Sequence, residues 1–261
     1  MIVKLNIYIN KMRLIFIYIF LILLSFIFFI QTKRRNHQEY DDEEYDHEEY
    51  DYKKVIIYIL CHNKEKYKFA KKHFKKYKWA RPILMKYQDI TWENAFWKQL
   101  SEIEDEWKDA DMVGTLSPIS YTKIDIESVN DIILNETYKY PYHHFMDTNS
   151  PAHKSAGMLH PYFLEIWNYM IEELELPNVT ESYCNYWMCS PEYMKKFIEW
   201  YHSECLPTLL RNPLSYEDAK YGDSKMTEEQ LIQKWGKPYF PHIPFILERI
   251  HKAFFVKHAN L

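Results

Sequence analysis

Residues 91–117 read TWENAFWKQLSEIEDEWKDADMVGTLS, and the change of period inside this stretch decides the fold. Trp92, Phe96, Leu100, Ile103 and Trp107 recur at the spacing of one helical face, with Thr91 placed to cap the helix. DMVGTLS, residues 111–117, then gives a short apolar run that ends on small polar residues, as a buried strand does. A charged helix feeding a buried strand is half of a βαβ unit. The alternation continues outward. VIIYILC (55–61) is a continuous apolar strand, Lys64 to Lys78 a basic amphipathic helix, and PILMKY (82–87) a second strand. YHHFMD (142–147) and CNYWMC (184–189) read as weaker strands. The expected fold class is α/β, an open, mostly parallel sheet with helices on both faces and a helix-rich C-terminal third. In that third, Ser190-Pro191-Glu192 starts one helix, Thr227 with Gln230 forms a capping box on a helix ended by Gly236, and Pro244 opens the last.

The first 53 residues read differently. A short tail (1–13) leads into LIFIYIFLILLSFIFFI (14–30), uncharged and flanked by Arg13 and by Lys33-Arg34-Arg35. Its length is the lower limit for a membrane span. No small-x-small cleavage site follows it, so an uncleaved signal-anchor is preferred to a removed signal peptide. Balanced basic flanks leave the side of the membrane undetermined, with two N-x-S/T sequons, at Asn135 and Asn178, slightly favouring the lumen. Residues 31–53 form a charged stem. Within it EYDDEEYDHEEYDY (39–52) has nine carboxylates and no Lys or Arg, too little apolar surface to fold. The folded domain is expected over 54–261.

Composition removes several function classes. Four glycines (114, 157, 222 and 236) leave no G-x-G-x-x-G or Walker A loop. A net charge of −4 without a concentrated basic patch argues against a nucleic-acid partner. The cysteines at 61, 184, 189 and 205 lack metal spacing. Buried free thiols are the preferred reading, with a Cys184–Cys189 pair as the alternative. There is no G-x-S-x-G elbow.

Ligands of open α/β sheets bind beyond the carboxyl ends of the strands. That rule selects His62 and Asn63 after the first strand, Gly114, Thr115 and Ser117 at the end of the third, and Asp147 to Asn149 after the fourth. It counts against Asp109 and Asp111, whose D-x-D spelling stands at the entry of a strand. Asp147 and Asn149 offer oxygen ligands to a hard divalent cation, Mn2+ or Mg2+, while an Asx turn before Ser150-Pro151 explains them equally well. Scattered histidines (143, 144, 153 and 160) lack H-x-x-x-H spacing, so a metallohydrolase is a distant reading. Asp218, on a polar loop, and Glu248, beside Arg249 in the last helix, are the candidate general bases toward a sugar hydroxyl. A helix-surface ion pair is the competing account of Glu248 and Arg249.

The ordered segments IYILCHNKEKY, EWKDADMVGTLSPISYTKI, CNYWMCSPEYMKKFIEWY and PYFPHIPFILERIHKAFF resemble a group of glycosyltransferase-like proteins of GT-A type. These are related to capsular-polysaccharide transferases and occur in bacteria, microbial eukaryotes and large DNA viruses, which suits the AT-rich coding bias of this chain. The resemblance covers most of 55–256 and implies a Rossmann-like nucleotide-sugar fold. It carries His62 and Asn63 to the nucleotide pocket, Gly114, Thr115 and Ser117 with Tyr121 to the donor side, and Glu248 with Arg249 to the acceptor side. The standard D-x-D after a strand is missing, and Asp147-Thr148-Asn149 is only a partial substitute. The reading that results is a membrane-anchored glycosyltransferase taking a nucleotide-sugar donor and a glycan or glycoprotein acceptor. The alternative is a non-catalytic anchored protein that binds glycans or a protein partner on a degenerate version of the same fold.

Overall fold

Alternate residues of VIIYILC pack into two different cores, which is why the run contains no polar residue. In the computed structural model, which describes residues 55–151, 154–182, 184–221 and 226–259, strand β1 (Val55–Cys61) is buried along its whole length. Val55, Ile57, Ile59 and Cys61 face one helical layer, and Ile56, Tyr58 and Leu60 face the other. β2 (Ala80–Leu84) and β3 (Met112–Leu116) pair with β1 in parallel. β4 (Tyr142–His144) and β7 (Trp187–Cys189) complete the sheet, in the order β2-β1-β3-β7-β4. β7 runs antiparallel to both β3 and β4, so β4 points the same way as β1, β2 and β3. The chain is therefore a mixed α/β protein with one antiparallel strand inside an otherwise parallel sheet. Strands β5 (Asp147–Pro151) and β6 (Thr180–Ser182) form a separate two-stranded sheet.

Helix α1 (Lys64–Phe74) and helix α4 (Ile126–Leu134) cover one face through Ala70, Phe74, Ile126, Val129 and Ile133. Between them in sequence, the helix expected over 92–107 is broken into a 3-10 turn (Trp92–Ala95), α2 (Phe96–Glu102) and α3 (Glu104–Trp107). The second face is covered by α2 and α3, with α5 (Lys154–Leu159), α6 (Phe163–Glu173), α7 (Pro191–Trp200), α8 (Leu206–Arg211), α9 (Glu228–Trp235) and α10 (Ile243–Ala259) completing the helical set. Its centre is aromatic. Trp97 and Trp187 lie 5.2 Å apart by ring centroids, Phe197 meets both edge-on, and Phe255 stacks on Tyr142 at 4.2 Å. The abundant Trp and Phe of the sequence are spent largely on this core. Every residue of both cores falls in the compact unit Asp51–Leu261, which thus holds its own hydrophobic interior.

Several local expectations meet a different outcome. Thr91 does not cap its helix; it sits in helical backbone and its hydroxyl bonds the Asp89 carboxylate. The strand expected over 82–87 is shifted to Ala80–Leu84, and that over 184–189 shrinks to its last three residues because Cys184 turns with φ 60°. YHHFMD divides at a turn, so Asp147 opens a strand of the small sheet instead of ending one of the large sheet. Thr227 with Gln230 does form the reciprocal capping box, and Gly236 closes the helix in the left-handed conformation. All four cysteines are free thiols. The apolar run 14–30 and the acidic stem lie outside the described residues; within them, no helix is long and apolar enough to cross a membrane.

Candidate functional site at the carboxyl edge of the sheet

The ends of β1, β3 and β4 and the start of β7 share one edge, and polar side chains gather there from five segments. Immediately after β1, His62 Nε2 stands 3.5 Å from Glu93 Oε1. Glu93 belongs to the 3-10 turn, whose position is set by Asn94. The Asn94 Oδ1 accepts from Trp97 Nε1 at 3.2 Å and from Asn185 Nδ2 at 3.3 Å, tying the turn to the approach to β7. The turn also packs on α10, which brings Glu93 alongside Glu248. Trp92, just before Glu93, is held at φ 59°, a costly conformation for a bulky residue. Cys184 is held at φ 60° on the opposite side of the cluster.

Lys123, six residues past Ser117, donates from Nζ to Cys184 Sγ at 3.1 Å and lies 5.8 Å from the Tyr186 ring centroid. Ser117 Oγ shares a 2.5 Å hydrogen bond with the Tyr186 hydroxyl. Glu248 keeps 18% of its side-chain surface exposed, and its Oε2 is 4.0 Å from Arg249 Nη1. That guanidinium also donates to the Phe245 carbonyl at 2.8 Å and faces the Phe163 ring, so it is fixed from three sides.

The electrostatics of this group are unlike those of a surface ion pair. Burial pushes the Glu248 carboxyl up to about 7; Arg249 opposes the rise, Glu93 adds to it, and Lys123 opposes it. Burial works against the charge of Lys123, yet Cys184, Glu248 and Glu93 together hold its ammonium above the ordinary lysine range. The Cys184 thiol is pushed up to about 12 by burial and then by Glu248, so it stays protonated beside the lysine. Tyr186 is raised by burial, then by Cys184 and Glu93. A carboxyl titrating near 7 beside an accessible ammonium can exchange a proton and hold an anion at the same pH.

The expected residues divide between this cluster and other duties. His62, Ser117, Glu248 and Arg249 are brought to it. Asn63 stands next to it, and its Oδ1 accepts from the Lys66 amide at 2.8 Å as the cap of α1. Gly114 is taken up by packing: a Cβ there would lie 2.2 Å from the Trp187 carbonyl oxygen, so glycine is what lets β7 pair with β3. Thr115 is fully buried and its hydroxyl donates to the Asn185 carbonyl at 2.5 Å. Tyr121 turns toward α1 and packs with Phe69 and His73. Asp218 pairs with Lys220, Nζ to Oδ2 at 2.7 Å, with His242 a weaker electrostatic neighbour. The backbone of Asp147 pairs with Ser182, two residues before Cys184, while the side chains of Asp147 and Asn149 lie outside the described residues. Asp109 and Asp111 are exposed at the opposite edge. Among the described residues, no group of three or more His, Cys, Asp or Glu is placed to hold a metal ion.

Glu93, Lys123, Cys184 and Tyr186 were not selected from sequence. Reading Thr91 as a cap put Glu93 in the first turn of a surface helix, although the loop after β2 must pass the carboxyl edge. Lys123 sits on the same loop as Ser117, and extending the edge rule by six residues would have included it. No protein-family model, curated protein or solved structure matches the chain.

Proposed function

We propose that the chain is a membrane-anchored glycosyltransferase with a Rossmann-like, GT-A type domain, moving a sugar from a nucleotide-sugar donor to a glycan or glycoprotein hydroxyl. The observation that carries this reading is the Glu248 carboxyl, lifted to about 7 at the carboxyl edge beside the Lys123 ammonium. In the proposed reaction Glu248 takes the proton of the acceptor hydroxyl as its oxygen bonds to the anomeric carbon. The anomeric C–O bond breaks, and its electron pair leaves with the nucleoside diphosphate. Lys123 and Arg249 face the growing negative charge, and the water-poor setting makes their field effective. His62, held by Glu93, lies where the donor base is expected at the end of β1. Strained backbone at Trp92 and Cys184 is consistent with a site kept rigid for function. Mn2+ or Mg2+ belongs to the proposal as an ion carried on the donor diphosphate; among the described residues no group of three or more His, Cys, Asp or Glu is placed to hold it.

One observation favours the non-catalytic reading. Gly114, Thr115 and Ser117, expected to face a donor, are all absorbed by packing or buried hydrogen bonds. The two readings separate when the unit 51–261 is offered a panel of nucleotide sugars with and without Mn2+, following nucleoside diphosphate release. The proposal expects release from one donor and a loss of about a hundredfold in Glu248→Gln. Silence across the panel, with glycan binding retained, supports the binding protein and removes the transferase.

A further inference from the structure

Helix α1 has a second surface that the site does not use. On its axis Lys64, Lys68, Lys71, Lys72 and Lys75 follow at intervals of four, three, one and three, which sets them in one stripe along the side away from buried Ala70 and Phe74. Residues 64–81 hold nine Lys and Arg and one acid, Glu65. The sequence reading of a chain without a concentrated basic patch is therefore corrected: near-neutral totals conceal a cationic face. Like charges at i, i+4 weaken a helix by themselves, so the stripe is not explained by helix stability. Among the described residues, the acids placed near it are Glu65 on α1 itself and Glu127 on α4, which binds Lys76 and the Tyr77 hydroxyl. Beyond the stripe, a cavity of about 710 Å³ opens between Lys76, Lys78, Trp79 and Glu127, beside Val55. Val55 is where the described chain begins, with 24 residues between it and the end of the apolar run 14–30.

We infer that this lysine face is a docking surface for a bilayer rich in anionic phospholipid. Two features select that partner. The lysines follow one another along one side of the helix and do not converge on a point, which suits an extended anionic surface; a compact anion would need convergent donors. The same chain carries, in residues 14–30, an uncharged apolar run at the lower limit for a bilayer span. A lysine cluster on an amphipathic helix recognises anionic headgroups on the cytoplasmic leaflet, so this inference requires the domain on that side and sets aside the slight lumenal preference of the two sequons. The inference is independent of the proposed transferase activity, since none of these lysines belongs to the carboxyl-edge cluster.

The test is co-sedimentation of the unit 51–261, which has its own core and lacks the apolar run, with neutral and with anionic phospholipid vesicles. Binding is expected to the anionic vesicles alone. It should be released as ionic strength rises from about 0.01 M to about 1 M, where the screening length falls from about 30 Å to about 3 Å. Lys68→Gln, Lys72→Gln and Lys75→Gln combined should lower the partition coefficient about fivefold for each lysine removed, with an unchanged melting temperature because all three side chains are exposed. Equal binding to both vesicle types overturns the inference, as does no binding at low salt or an undiminished triple variant. Inorganic phosphate and glycerophosphate serve as competitors; displacement of the vesicles at millimolar levels would make the site one for free phosphate. A peptide of residues 39–52, or an oligonucleotide, that binds the face more tightly than the vesicles also overturns the lipid assignment.

Discussion

Glu248→Gln is the sharpest perturbation because the structure fixes its sign before any activity is known. The wild-type carboxyl titrates near 7 in the fold, against about 4.3 in an unfolded chain. A raised carboxylate pKa means the folded state binds its proton more tightly than the unfolded one does. Below about pH 4 both states are protonated and the site costs nothing. Between about pH 4.3 and 7 the unfolded state ionises first, and stability falls with rising pH until both are ionised. The gap between about 4.3 and about 7 corresponds to about 3.7 kcal/mol at most. Arg249 loses an attractive partner in the variant, so a gain of about 1–2 kcal/mol at pH 8 is the working expectation. For a unit of this size that is roughly 3–8 °C in melting temperature. Melting of wild type and Glu248→Gln between about pH 4.5 and 8 should therefore diverge, the variant gaining with pH. A flat difference, or a variant that loses stability relative to wild type between about pH 4.5 and 8, would refute the claim that Glu248 is held in a destabilising environment.

Two other substitutions probe the frame and the acid limit. Gly114→Ala drives a methyl against the Trp187 carbonyl and Met188, so β3 and β7 must separate; a loss of about 3 kcal/mol or more is expected in urea unfolding, and a loss under about 1 kcal/mol contradicts that packing. His242 is fully buried, and burial, with His160 adding, lowers its pKa to about 4. The fold therefore favours the neutral ring, and this contribution is complete above about pH 6.5 and is lost as pH falls toward about 4. His242→Phe should flatten the acid limb of the stability profile in that window, and an unchanged slope there counts against it.

The parallel core of the fold was legible because VIIYILC and MVGTL can satisfy only a strand buried on both faces, and because the helices between them keep a clear apolar stripe. The antiparallel placement of β7 was not, since three residues of strand carry no sign of direction. Gly114, expected to face a donor, has a packing reason instead: a glycine inside a strand marks close approach, and here the approaching group is the β7 backbone. At the site, the edge rule found His62 and Ser117 from their positions alone. Glu248 was reachable only through the resemblance and its neighbour Arg249, because nothing in a helical register says which carboxyl will be desolvated. Glu93 and Lys123 depend on tertiary packing of loops, which periodicity does not encode. The lysine stripe is legible in the sequence as the basic amphipathic helix of 64–78, and only the near-neutral total conceals it as a patch.

The central claim is that the carboxyl edge between β1, β3 and α10 receives a nucleoside diphosphate. The most direct measurement is a crystal structure of the unit 51–261 soaked with a nucleoside diphosphate. The account predicts the diphosphate beside Lys123 Nζ, the base toward His62, and Glu248 free to face an acceptor. Diphosphate bound at the α1 lysines, or an empty carboxyl edge at saturating ligand, would contradict it.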